Sequence, residues 1–292
     1  MMRLDELRTL LARHARPDFT TAIDGVLISK VDRPHPPSPA MSGTVLAVIA
    51  QGAKRLSLGD RVYEYRAGQY LVASVDLPVT GHFVDPGPQR PALGFGLTLR
   101  PDDIAELLLG AGPGEVPAPA PPGIAVSDAP DELLDAVLRL VRLLETPRDR
   151  DVLAPLVIRE ILWRLITGEQ GGLVRQLGLP DSGLRHVARA VRWIRDNYAE
   201  PFRVEDVARL AGMSVSAFHR NFQSVTAMSP IQFQKRIRLH QARLLLASDP
   251  GDIAGVGQRV GYDSASQFSR EYRRAFGAPP SRDAGLLEAA LP

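Results

Sequence analysis

Two nine-residue stretches carry the residue types that could do chemistry. "SVSAFHRNF" (Ser214–Phe222) and "SASQFSREY" (Ser264–Tyr272) share Ser, Ser, an aromatic, Arg and an aromatic when Phe218 is set on Phe268. Helical spacing divides each stretch into two faces. Val215, Phe218 and Phe222 stand at i, i+3 and i+7, as do Ala265, Phe268 and Tyr272, which is the spacing of a packed face. The other face carries Ser216, His219, Arg220 and Gln223 in the first copy and Ser266, Ser269, Arg270 and Arg273 in the second. These outer faces offer hydrogen-bonding groups and no acid, and Glu271 lies off them. A helix fits the major groove of B-form DNA, where arginine pairs with O6 and N7 of guanine while serine or histidine reads a base or holds a phosphate.

The elements that must position these helices surround each copy. "VARLAG" (Val207–Gly212) and "VGQRVG" (Val256–Gly261) supply a first helix and a glycine turn, with one extra residue before Ser264. The result is a duplicated helix, turn and helix. Ser214 is placed to cap the first reading helix, and Ser264 with Gln267 three residues on forms a capping box for the second. Gly277 and the prolines after it end that helix. Between the copies, Ser229 and Pro230 open a helix that runs to about Ala247. Its roughly 17 residues span about 26 Å, of the order of one DNA turn once the widths of the copies are added. Upstream, Leu184, Val187, Val191, Ile194 and Tyr198 recur at steps of three and four, and Pro201 ends that helix.

From about Thr20 to Arg100 the period is that of strands. "GTVLAVIAQG" (Gly43–Gly52) is a short apolar run between glycines, "ALGFGLTL" alternates Leu93, Phe95, Leu97 and Leu99, and Gly59-Asp60 suits a tight hairpin. Strands at this spacing suggest a small barrel or jelly roll. Tyr63, Tyr65 and Tyr70 alternate with polar residues; they either line a ligand cavity or form a sheet face under helices, the second being the expectation. "GAGPGEVPAPAPPG" (Gly110–Gly123) reads as a stiff surface linker. The leucine-rich helices that follow, Asp131–Glu145 and Asp151–Ile166, are expected to pack on the strand domain, with a dimer seam as the alternative. Trp163 and Trp193 are expected to be packing residues.

Composition bounds the rest. A chain of 292 residues has room for two domains. The absence of cysteine excludes disulfides, thiolate metal sites and a Cys nucleophile, and the histidines lack metal-ligand spacing. No apolar run of about 18 residues occurs, and the opening segment mixes Asp5, Glu6 and arginines with its leucines, so a cytoplasmic protein is expected. Net charge is +2, but residues 183–292 hold 16 basic against 10 acidic side chains, which points this third toward phosphate.

On these residues a family resemblance rests. Gly183 to about Gly285 resembles the DNA-binding domain of the AraC/XylS family of bacterial transcription regulators, "DSASQFSREYRRAFGAPP" being very similar to its closing signature. The resemblance implies a domain over 181–292 with two helix-turn-helix units at about 204–223 and 253–276. By position it makes Ser216, His219, Arg220, Ala265, Ser266 and Arg270 base-facing; Gln223, Ser214, Ser264, Ser269 and Arg273 fall to phosphate. Ala265 is too small for polar readout, which leaves Arg220 and Arg270 as the chief readers. Gly257 stands where an alanine is more usual, which is expected to loosen its helix. The strand region resembles the cupin-like regulatory domain found ahead of such units. This implies an α+β fold with a cupin-like β-barrel and flanking helices over 1–122, for effector binding or dimerisation, then a proline-led linker and helices over 123–180. The implied partners are double-stranded DNA, RNA polymerase, a small-molecule effector and a second copy, with no cofactor, metal or membrane. The alternatives are a cupin enzyme with a DNA-binding appendage and a non-specific architectural DNA binder.

Overall fold

The computed structural model describes residues 2–111, 122–249 and 251–288. By internal contacts the chain divides into two compact units, Met1–Ala188 with Ser224–Ala227, and Arg189–Gln223 with Met228–Pro292. Most of the proline-rich linker, residues 112–121, lies outside the described residues.

The first unit runs α1 (Met2–His14), β1 (Val26–Val31), β2 (Ser38–Met41), β3 (Val45–Gln51), β4 (Ala53–Leu58), β5 (Arg61–Arg66), β6 (Gln69–Ala73), β7 (Pro78–Val84), β8 (Ala92–Thr98), α2 (Pro101–Ala111), β9 (Ile124–Asp128), α3 (Asp131–Arg142), α4 (Pro147–Thr167) and α5 (Gly171–Gly178). Two antiparallel sheets form, in the orders β1-β8-β3-β6-β9 and β2-β7-β4-β5. The apolar run of β3 pairs with β8, Leu46 opposite Leu97 and Val48 opposite Phe95, and all four side chains are buried. Gly59, at φ +57°, turns β4 into β5 with Leu58 opposite Arg61, the hairpin its Gly-Asp pair calls for.

Alternation in the smaller sheet separates two environments. Leu56, Leu58, Tyr65 and Phe83 are buried on one face, and β5 lies against β3 and β6 of the larger sheet. On the other face Arg55 and Arg66 flank Glu64 at 2.6 and 2.9 Å. Of the tyrosines, Tyr65 and Tyr70 are buried and Tyr63 is half-buried.

Two expectations for the stretch after the linker need correcting. A boundary at residue 122 separates a strand from its sheet, because β9 pairs with β6 from Ile124 opposite Ala73 to Asp128 opposite Gln69. Its five residues are too few to show a period beside the proline run. The helices that follow lie in the same unit as the strands. α3 buries its stripe from Leu133 to Val141 chiefly against α1 and α4, and α1 in turn lies on β1, β3 and β8. α4 buries Ile161, Leu162, Leu165 and Ile166 but leaves Val152 68% and Leu156 60% exposed. Trp163, expected to be packed, is 40% exposed on this outer side. No helix among the described residues is long and apolar enough to cross a membrane.

The remaining elements are all helical: α6 (Gly183–Asp196), α7 (Val204–Leu210), α8 (Val215–Thr226), α9 (Pro230–Ser248), α10 (Ile253–Arg259), α11 (Ala265–Phe276) and α12 (Pro280–Glu288). The prolines after Gly277 therefore do two things. They follow a stop, Gly277 at φ +80° with its N–H on the Arg273 carbonyl, and Pro280 starts α12.

Candidate nucleic-acid interface

α7 with α8 and α10 with α11 are the two copies, and their turns share one hydrogen-bond pattern. Met213 N–H donates to the Ala208 carbonyl and Tyr262 N–H to that of Gly257, with Gly212 at φ +73° and Gly261 at φ +88° between. Asp263 is the extra residue in the second copy. Ser214 Oγ accepts from Ala217 N and Ser264 Oγ from Gln267 N, so both hydroxyls cap their reading helices. The predicted capping box is only half made at Ser264. Gln267 turns its amide to Glu271 at 3.2 Å instead, because that carboxylate lies one turn along the same face. A complete box forms at Ser229 and Gln232, where it starts α9.

The aromatic faces are buried as their spacing requires. Phe218 and Phe222 meet at 5.2 Å between ring centroids, and Phe222 meets Phe233 of α9 edge-on at 5.5 Å. In the second copy Phe268 lies between Tyr262 and Tyr272, at 5.3 and 5.6 Å. The Tyr272 hydroxyl donates to Asp283 of α12 at 2.7 Å, and Arg243 pairs with the same carboxylate at 2.9 Å. Gly257, expected to loosen its helix, lies within α10. It is buried, and a methyl there would stand 3.0 Å from Cδ1 of Phe268, so the glycine admits the ring. The first anchor position fails in both copies: Val215 and Ala265 are exposed, since the first residue of each helix precedes the turn that packs.

The outer faces are where the sequence places them. Ser216, His219, Arg220 and Gln223 are exposed on α8; Ser266, Arg270 and Arg273 are exposed on α11, and Ser269 is half-buried. Ser266 and Ser264 share a hydrogen bond of 2.9 Å between hydroxyls. Arg220, Arg270, Arg273 and Arg274 have no carboxylate or hydrogen-bond partner among the described residues. Glu271 is drawn to the other side of α11 by Lys235 Nζ at 2.9 Å and the Tyr262 hydroxyl at 2.9 Å. Burial by itself would raise the Glu271 carboxyl, but the hydrogen bonds from Lys235, Gln267 and Tyr262 outweigh it and hold the group below the usual carboxylate range.

Arg238 of α9 holds the backbone of the unit together. Its guanidinium donates to the carbonyls of Tyr198 at 2.7 Å, Ala199 at 2.9 Å and Gly261 at 2.6 Å. Gln234, one turn earlier on α9, donates to Tyr198 and Glu200. A Cβ at position 261 would lie 2.1 Å from the Ala199 carbonyl oxygen, so this turn closes only around glycine. Nothing in the local pattern marks Arg238, because its acceptors are backbone groups far along the chain.

Two families match this chain: the AraC-type transcriptional regulator N-terminus over residues 22–173, and a helix-turn-helix domain over residues 207–284. The HTH-type transcriptional regulator ExsA of Pseudomonas aeruginosa is 30% identical over 161 residues, 55% of this chain and 57% of that protein. The virulence regulon transcriptional activator VirF of Yersinia enterocolitica is 30% identical over 150 residues, 51% of this chain and 55% of that protein. The chain thus spans little more than half the length of the curated relatives it matches. Among solved structures, unsaturated fatty acid-bound wild-type ToxT from Vibrio cholerae is similar, with a TM-score of 0.56 over 92% of this chain and 96% of that one. Identity there is 11%, so the likeness is one of fold.

Two outcomes test this architecture. Arg238→Met leaves three carbonyls without their donor and is expected to lower stability to chemical denaturation by about 2–4 kcal/mol, while Arg238→Lys restores only part of it because an ammonium lacks the planar fork. Glu271→Gln is expected to cost about 1–2 kcal/mol at neutral pH. Because the folded carboxyl lies below its unfolded value, that contribution is present above about pH 5 and fades as pH falls through the lowered folded value. Denaturation curves of the two proteins should therefore converge in acid.

Proposed function

The chain belongs to the AraC family of transcriptional regulators, and from that premise we propose that α8 and α11 read two successive major grooves of double-stranded DNA. The observation that carries this reading is the four arginines on the outer faces, Arg220, Arg270, Arg273 and Arg274, none of them tied to an acid among the described residues. Arg220 and Arg270, at matching positions, pair with guanine edges. Ser216, His219 and Ser266 add hydrogen bonds beside them, and Ala265 lies against a thymine methyl. Arg273, Gln223 and Ser269 hold phosphate. At Ser214 and Ser264 the free amides of the helix starts face the backbone, with the serine hydroxyls fixing those starts. α9 sets the separation of the two readers, and Arg238 fixes their relation.

The protein acts as an activator in the cytoplasm by contact with RNA polymerase, and its barrel binds a small molecule. The outer side of α4 pairs with a second copy of this chain. Val152, Leu156 and Trp163 are exposed at steps of four and seven, the repeat by which two helices pack side by side.

Selection of bound fragments from a random DNA pool should return two blocks about one turn apart. Against that site, Arg220→Ala with Arg270→Ala is expected to lower the preference over random DNA by about 30-fold or more, since each arginine–guanine pair supplies about 1–3 kcal/mol of discrimination. Arg273→Ala should weaken all sequences alike and reduce the salt slope by about one. An undiminished preference in the double variant would overturn the assignment of α8 and α11. Separately, Val152→Ser with Leu156→Asp is expected to turn a dimer into a monomer in sedimentation, and a parent chain that is already monomeric at micromolar concentration rejects the α4 pairing.

A further inference from the structure

α2, α4 and the loop before β1 enclose a cleft of about 670 Å³, within the range of roughly 300–1,000 Å³ that small-molecule sites occupy. None of its lining residues belongs to a strand. Asp103 and Leu107 stand one turn apart on α2, as do Asp151 and Pro155 on α4, so one face of each helix lines it. The floor is apolar: Ile23, Leu107, Ala154 and Leu162 are buried there.

Charge in the cleft does not balance. Three arginines and four carboxylates line it. Arg100 pairs with Asp24, Arg159 with Glu106 at 2.6 Å, and Arg150 with Asp151 at 3.1 Å. Asp103 is the acid left over; half-buried, it has no ion-pair or hydrogen-bond partner among the described residues. The opposite wall has an acceptor of its own. Pro155 stands inside α4 and has no N–H to give the Asp151 carbonyl one turn back. A proline there weakens the helix, and it stands where the cleft receives the carbonyl it frees.

We propose that this cleft binds an organic cation with a short apolar body, its ammonium received by the Asp103 carboxylate and the Asp151 carbonyl and its hydrocarbon by the apolar floor. An ammonium donates and accepts nothing, which matches two bare acceptors. A single unpaired acid calls for a single positive charge. A carboxylate ligand would have to take an arginine from its partner, and a neutral one would leave Asp103 beside apolar surface without a counter-charge. The site lies on helices and a loop, so it is separate from the small-molecule reading of the barrel.

Ile23 and Ile158 line the cleft and report on it. In the full chain labelled with carbon-13 at isoleucine Cδ1, their resonances are assigned through Ile23→Val and Ile158→Val. Titration at neutral pH uses hexylamine and benzylamine, both cationic there, with hexanol and hexanoate as controls. At least one amine is expected to move both resonances saturably, and the controls should bind about tenfold more weakly or not at all. Asp103→Asn keeps the shape without the charge and should weaken amine binding by about tenfold or more. Pro155→Ala returns an N–H to the Asp151 carbonyl and should weaken binding by about threefold. Asp102→Asn, one residue away and outside the cleft, should leave it unchanged. The proposal is overturned if the resonances ignore both amines, if hexanol or hexanoate binds as tightly, if Asp103→Asn or Pro155→Ala binds as the parent does, or if Asp102→Asn weakens binding as much as Asp103→Asn. No DNA enters these measurements and no strand residue lines the cleft, so the readings of α8, α11 and the barrel stand or fall apart from them.

Discussion

One guanidinium sets the frame of the helical unit. Arg238 reaches from the middle of α9 to the carbonyls that follow α6 and to the turn of the second copy. Backbone carbonyls left without donors in a partly buried place are costly, so the three bonds matter chiefly through what their loss would expose. They also require glycine at 261, where the chain passes too close to Ala199 for any side chain. Gln234 adds a second hold on the same loop. The aromatic faces of α8 and α11 then pack on elements already fixed to one another, Phe222 against Phe233 of α9 and Tyr272 against the Asp283 and Arg243 pair. A helix of seven residues such as α7 or α10 is too short to stand alone, and its place comes from these contacts.

Charge is sorted by the same packing. The basic excess of the last third could have been spread over solvated faces; instead Glu271 is pulled inward by three donors, and the arginines beside it on α11 stay uncompensated. In the strand unit the reverse holds for Arg55, Arg66, Arg139 and Arg142, each of which meets a carboxylate. A positive field therefore arises on the reading helices without a high total charge.

The parts legible in the sequence are those whose causes are local. Serine caps, glycine turns and the two faces of each reading helix follow from spacings of three and four residues, and duplication repeats each signal. What escaped was decided at a distance. Arg238 looks like a surface arginine because its acceptors lie 23 to 40 residues away and are backbone atoms. β9 is hidden by brevity, and Gln267 chose Glu271 over its own cap. Residue type favours burial of Trp163, but type does not say which side of α4 meets a neighbour. Gly257 carries no local sign of the space it leaves to Phe268, a contact that only the folded turn creates.

Asp263 is a small difference between the copies with a lasting effect. A stretch carried from one copy to the other across the turn would arrive one residue out of step, a rotation of about 100° on a helix. The turns of the two copies are therefore not interchangeable, although the helices they join are alike. Each reading helix takes its rotation from its own turn, so the face one copy presents is set independently of the other.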